Sequence, residues 1–355
     1  MTNDLFREGG PHNIKRSGDD EYQFSIELPT DEDGMLGREC VSSECSPGYF
    51  KVRPGTGITE GHLEAFCPYC RHSGEPREFT TKAQMEYAKS LVMREAQQGL
   101  NHMVKKALGI GPSGRKKMGG GFISMELSYK PGTPRPVPRP LEEELRRDVV
   151  CPNCGLQHAV FGLATWCPDC GMDIFLSHVA EEFKAVERVI AAVGDRRANL
   201  GARIAARDIE NALEDTVSIF EAVMKAITTR HLLNSGATQD EVHEIVEKRI
   251  RNRFQSIRSA KEVFEQHLGF PLLEGTDEAH VRLLEEAFDK RHPITHNLGV
   301  IDRKYLQGAM SDELEGREVH VSEEEVLKTA SIAHSIVARA YTRAFPDSHS
   351  AHVDG

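Results

Sequence analysis

Eight cysteines stand in two sets of four with none left over. Cys40, Cys45, Cys67 and Cys70 are spaced C-x4-C-x21-C-x2-C, and Cys151, Cys154, Cys167 and Cys170 are spaced C-x2-C-x12-C-x2-C. Three of the four half-sites are Cys-Pro-x-Cys turns (CPYC, CPNCG, CPDCG). Two intervening residues let one tight turn aim two sulfurs at a single point, which is what a tetrahedral zinc ion asks of its thiolate ligands. Both sets therefore read as closed, structural Zn²⁺ sites in small β zinc ribbons, modules too small to fold on buried apolar area alone. The opposing reading is paired disulfides. Residues 1–11 carry acids and no apolar core, so no secretory signal is expected; a reducing, cytoplasmic setting favours metal. In the first set the CVSSEC half is wider, and His62 and His72 lie near enough in sequence to stand in as ligands. Gly48 to Arg53 reads as a strand whose Tyr49, Phe50, Lys51 and Arg53 either contact nucleic acid or fill the ribbon's core.

Charge is unevenly placed. The chain carries 44 Lys+Arg against 55 Asp+Glu, yet residues 34–140 hold 16 against 9 while residues 151–355 hold 23 against 33. A basic segment in an acidic protein suits a phosphate-bearing partner such as RNA, and equally a solvated surface. No apolar stretch approaches the ~20 residues of a membrane span, so no membrane partner is expected.

The organisation follows. Residues 1–33 are polar and read as a flexible N-terminus. Residues 34–130 hold the first ribbon, a helix near 80–108, a mobile loop over 109–121 with six glycines, and a strand over 122–129. Residues 131–147 form a Pro-rich linker at a domain boundary, 148–174 the second ribbon, and 347–355 a flexible tail. Between them, residues 175–346 show helical apolar periodicity over 175–193, 199–233, 238–268, 277–290 and 322–345. Capping boxes start two of these, Thr238 with Glu241 and Ser322 with Glu325. The fold class is mainly α, a helical bundle preceded by two small ribbons.

One stretch departs from amphipathic pattern. In Arg291-His-Pro-Ile-Thr-His296, Pro293 starts or breaks a helix and gathers Arg291, His292, His296 and Asn297 within about two turns. A permanent guanidinium beside an imidazole suits phosphodiester chemistry. The ordinary alternative is a helix-junction pair that caps carbonyls or binds Asp289 and Asp302.

These residues resemble the R-x4-H signature of the HEPN superfamily, whose position after the Arg is commonly Asn, Asp or His; here it is His292. The resemblance continues through Asn297-x-Gly299-x-Ile301-Asp302 to the final long helix and covers about residues 200–345. Glu221 and Lys225 are similar to the family's upstream E-x3-K element, and are otherwise an i,i+4 ion pair. The resemblance implies a helical homodimer in which two facing motifs build a metal-independent endoribonuclease site. His296 would then be general base or acid, Arg291 would stabilise the phosphorane, His292 and Asn297 would orient, and Glu221 and Lys225 would support. It equally admits a non-catalytic bundle that only dimerises or binds nucleotides.

Overall fold

The computed structural model describes residues 5–6, 8–10, 12–19, 21–58, 64–111, 113–119, 125–134, 136–137, 139–140, 144, 147–309 and 313–346. His62 and the tail 347–355 lie outside them. The chain divides into two compact units, one of Met1–Val150, Cys154–Phe161 and Pro168–Cys170, the other of Cys151–Asn153, Gly162–Cys167 and Gly171–Gly355. The division runs through the second cysteine set rather than along the Pro-rich stretch.

In the first unit, β1 (Lys15–Arg16) and β2 (Tyr22–Gln23) pair as a short ladder within the segment expected to be flexible. β3 (Leu36–Glu39) and β4 (Tyr49–Val52) form the first ribbon's hairpin, and β5 (Ala65–Phe66) pairs with β6 (Ser73–Gly74) around its second turn. Helix α1 (Lys82–Ala107) follows, then β7 (Arg115–Met118), β8 (Met125–Ser128), β9 (Arg147–Val150) and β10 (Gln157–Val160). The two ribbons are one antiparallel sheet in the order β3-β4-β10-β9, with Val52 opposite His158 and Phe50 opposite Val160. β4 is thus an interior strand, which decides the fate of its side chains. Phe50 is 1% exposed and Lys51 6% exposed, so both belong to the core and neither is placed to stack on bases. Lys51 meets Asp31 at 2.7 Å. Burial would raise the Asp31 carboxyl, but Lys51 and the amides of Met35 and Asp33 outweigh it and hold the group below the ordinary carboxylate value.

Thr81 caps α1 and Gln84 returns the bond, a capping box that the sequence reading does not include. Gln84 then reaches the Gly37 carbonyl at 2.9 Å and ties the helix to β3. The loop expected over 109–121 is partly a strand: β7 and β8 pair in register from Arg115↔Ser128 to Met118↔Met125.

The second unit is helical: α2 (Phe175–Ala191), α3 (Val193–Leu200), α4 (Ala202–Asn234), α5 (Gln239–His243), α6 (Ile257–Leu268), α7 (Glu278–Asn297), α8 (Arg303–Ala309) and α9 (Glu323–Ala344). The 33-residue α4 runs through the core, with Leu213, Val217, Phe220, Met224 and Ile227 fully buried and Phe220 edge-on to Phe288 of α7 at 5.3 Å. Gly201, at φ 92°, separates α3 from α4 where periodicity suggests a continuous helix. The helix expected over 238–268 is likewise broken, into α5, a π-helical turn Glu244–Ile250, Arg251 at φ 52° and a 3₁₀ turn Arg253–Gln255 before α6. Pro293 neither starts nor ends α7 but lies inside it. At α9, Ser322 caps the Glu325 amide, while the Glu325 carboxylate pairs with Lys290 at 2.7 Å instead of closing the box.

Candidate functional site

The sulfurs of Cys40, Cys45, Cys67 and Cys70 lie within 4.8 Å of one another, as do those of Cys151, Cys154, Cys167 and Cys170. No disulfide joins any of the eight. Cys40 and Cys70 are 3.7 Å apart and Cys45 and Cys67 3.5 Å, near the ~3.8 Å edge of a tetrahedron of thiolates at ~2.3 Å from one ion. Each set can therefore hold one metal ion. His72 is not in the first cluster; its ring lies against Phe79, centroids 6.0 Å apart. Burial pushes the Cys45 thiol up to about 12 and the Cys67 thiol higher. At Cys70 burial is outweighed by the His72 amide and the neighbouring thiols, so this thiol ionises first. A dication would bind the four as thiolates, releasing their protons, the chemistry for which this donor set is built.

Local backbone shows why the sequence folds this way. After Cys67 and Cys167 alike, the cysteine amide bonds the carbonyl five residues on (His72, Met172), and the cysteine carbonyl accepts from the residue four on (Arg71, Gly171). The residue after each turn takes positive φ: Gly155, Gly171 and, without glycine's freedom, Arg71 at 63°. Within the first unit the turn residues also interlock. Tyr69 donates to the Tyr49 carbonyl at 2.8 Å and accepts from the Phe161 amide at 3.0 Å, while Asp169 accepts from the Ile58 amide at 2.5 Å. In the second unit, Asp173, just past the cysteine turn, accepts from Arg230 at 2.8 Å, and Arg230 lies over Trp166 at 4.7 Å.

The motif residues occupy the C-terminal half of α7. Arg291 donates to Gln255 Oε1 at 2.9 Å, Gln255 Nε2 donates to Glu221 Oε2 at 2.7 Å, and Glu221 pairs with Lys225 at 3.0 Å. A continuous polar chain thereby joins the arginine of α7 to Glu221 and Lys225 of α4. Arg291 Nε is buried and has no partner of its own, so the guanidinium keeps donor capacity beyond its bond to Gln255. His292 and Asn297 converge on Asp302, at 3.7 Å and 2.6 Å. The His292 and His296 rings lie 5.1 Å apart, and His296 is exposed. Burial, then Lys304, lowers the His292 pKa against the pull of Asp302, which favours neutral imidazole near neutral pH. Asp302 itself sits below the ordinary carboxylate range because the Tyr305 amide bonds it.

Arg291 and His296 share no hydrogen bond or ring contact among the described residues. Nor do they bind the acids of the ordinary alternative: Asp289 pairs with Arg258 and Asp302 with Asn297 and His292. Gln255 carries no mark in the sequence. It lies outside any motif, and only the broken backbone before it aims it at Arg291. Compared with known proteins, the chain matches no family model, no curated protein and no solved structure.

Proposed function

We propose that the chain is a metal-independent endoribonuclease of the HEPN type, acting as a homodimer, with Zn²⁺ held structurally in both cysteine sets and RNA as substrate. The observation that carries this reading is the chain Arg291–Gln255–Glu221–Lys225, which links the R-x4-H arginine to the E-x3-K pair. Exposed His296 takes the proton of a ribose 2′-hydroxyl as its oxygen attacks phosphorus, and the 5′-oxygen leaves with a proton from a protonated imidazole across the composite site. Arg291 turns its remaining N–H donors to the negative oxygens of the phosphorane. Asp302 orients His292 and Asn297 beside them. Products then carry a 2′,3′-cyclic phosphate and a 5′-hydroxyl.

A second reading, a non-catalytic bundle that dimerises or binds nucleotides, is favoured by the 33 acids against 23 bases of residues 151–355. Incubation with RNA in EDTA separates the two. Cleavage that ends in cyclic phosphate, is lost in Arg291→Ala and His296→Ala, and spares 2′-deoxy substrate supports the enzyme. A parent protein as inert as the variants leaves the second reading.

A further inference from the structure

The first unit carries a surface that neither the cysteine sites nor the catalytic motif uses. Between residues 82 and 130 stand nine Lys and Arg against three Glu, in a protein whose net charge is −11. The fold gathers five of the nine at one end of α1. Lys105 and Lys106 occupy its last turn, where the helix dipole favours cations. Lys116 Nζ donates to the Leu108 carbonyl at 3.1 Å and so ties β7 to the same helix end, with Arg115 and Lys117 on either side of it in the strand. Tyr129, just past β8, secures the hairpin by donating to the Asn101 side chain of α1 at 2.6 Å. The acid facing the cluster is Glu126, 3.6 Å from Arg115 and opposite Lys117 in register. Among the described residues, one ion pair for five bases leaves four positive charges in excess.

The hairpin buries no side chain on either face, and the cross-strand pair Met118 and Met125 is open to solvent, Met125 at 66%. A two-stranded ribbon gains little stability from itself. A polyanion with apolar faces lying along so bare a basic ribbon would meet both its positive charge and its open methionines. We infer that the C-terminal end of α1 and the β7–β8 hairpin hold single-stranded RNA, with Lys105, Lys106, Arg115, Lys116 and Lys117 on phosphates and the methionines against ribose and base. This rests on the endoribonuclease reading and names where its substrate is held. Such contacts read no sequence, so the surface sets affinity and not cleavage specificity.

The test is fluorescence anisotropy of a labelled oligouridylate with the full-length His296→Ala protein, which separates binding from cleavage. Five phosphate contacts to a single strand give a slope of log K against log salt of about −3.5. Changing Lys105, Lys106 and Lys117 together to Gln should bring it to about −1.4 and weaken binding roughly a hundredfold at about 0.1 M salt. Unchanged zinc content shows that the variant is folded. Lys117→Gln alone, on a strand with nothing buried, should still remove about 0.7 from the slope. No binding by the parent, a slope the substitutions leave unmoved, or capture by phosphatidylserine vesicles in place of RNA overturns the inference. Binding with these slopes but no cleavage by the unmutated protein leaves this surface standing and removes only the catalytic reading.

Discussion

Arg291 of α7 reaches Gln255 across 2.9 Å, although 36 residues separate them in sequence. The contact exists because the chain between α5 and α6 does not continue as a helix. A π-helical turn and Arg251 at φ 52° redirect the backbone so that the 3₁₀ turn presents Gln255 to both Arg291 and Glu221. Non-glycine residues at positive φ cost free energy and persist where surrounding structure holds them.

On the endoribonuclease proposal, Gln255→Ala should therefore lower RNA cleavage by roughly tenfold, and Arg291→Ala by two orders of magnitude or more, through lost stabilisation of the phosphorane. Single-turnover kinetics at saturating RNA checks this. No loss in Gln255→Ala would show that the bridge does not position the guanidinium.

Metal analysis of freshly reduced protein should return two zinc ions per chain, and one after Cys67→Ser, because each set supplies four thiols. The single tryptophan reports on the second set. Trp166 precedes Cys167 and lies beneath Arg230 at 4.7 Å, so stripping that ion should shift its fluorescence to the red as the stack opens. An unchanged emission maximum in metal-free protein would show that the stack stands without the ion.

Leu298 ends α7 in the left-handed region, φ 55°, with its side chain 68% exposed. Replacing it with Gly relieves the backbone at little loss of packing. Leu298→Gly should raise the stability of the helical unit by about 1 kcal/mol in urea denaturation. A destabilised variant would mean that the leucine side chain contributes more than its exposure suggests.

Burial lowers the pKa of His267, His292 and His334 below the ordinary imidazole value. A depressed folded-state value means that the unfolded chain binds more protons. The stability these residues contribute is whole above about pH 6.5 and is lost as pH falls through their folded values. Asp215 and Asp289, raised by burial, act in the opposite sense closer to pH 4. Thermal melts should drop between about pH 7 and 5.5, and the drop should shrink when the three histidines are changed to Gln. A pH-independent melting temperature over that interval would refute the linkage.

Short-range chemistry was readable in the sequence. Cysteine spacing located both clusters, and apolar periodicity found α2, α4, α7 and α9, because each is decided within a few residues. What escaped depends on distant partners or on backbone departures without a marker residue. Nothing in 244–255 is Gly or Pro, so the break there left no local sign. The pairing of Val52 with His158 joins segments that the Pro-rich stretch seemed to part. Pro293 stays inside α7, with its own carbonyl accepting the Gly299 amide at 2.8 Å to close the helix end.

That long-range pairing also dictates an order of events on the ribosome. β4 leaves the exit tunnel about a hundred residues ahead of β10, the strand that completes its ladder, an interval of roughly 5 to 20 seconds at ordinary synthesis rates. Through that interval β4 offers a bare edge to any other nascent chain. The first cysteine set is complete at Cys70, long before β10 appears. A metal ion captured there would pin the β3–β4 hairpin while it waits, so metal supply during translation, and not only afterwards, would bear on how long that edge stays open to other chains.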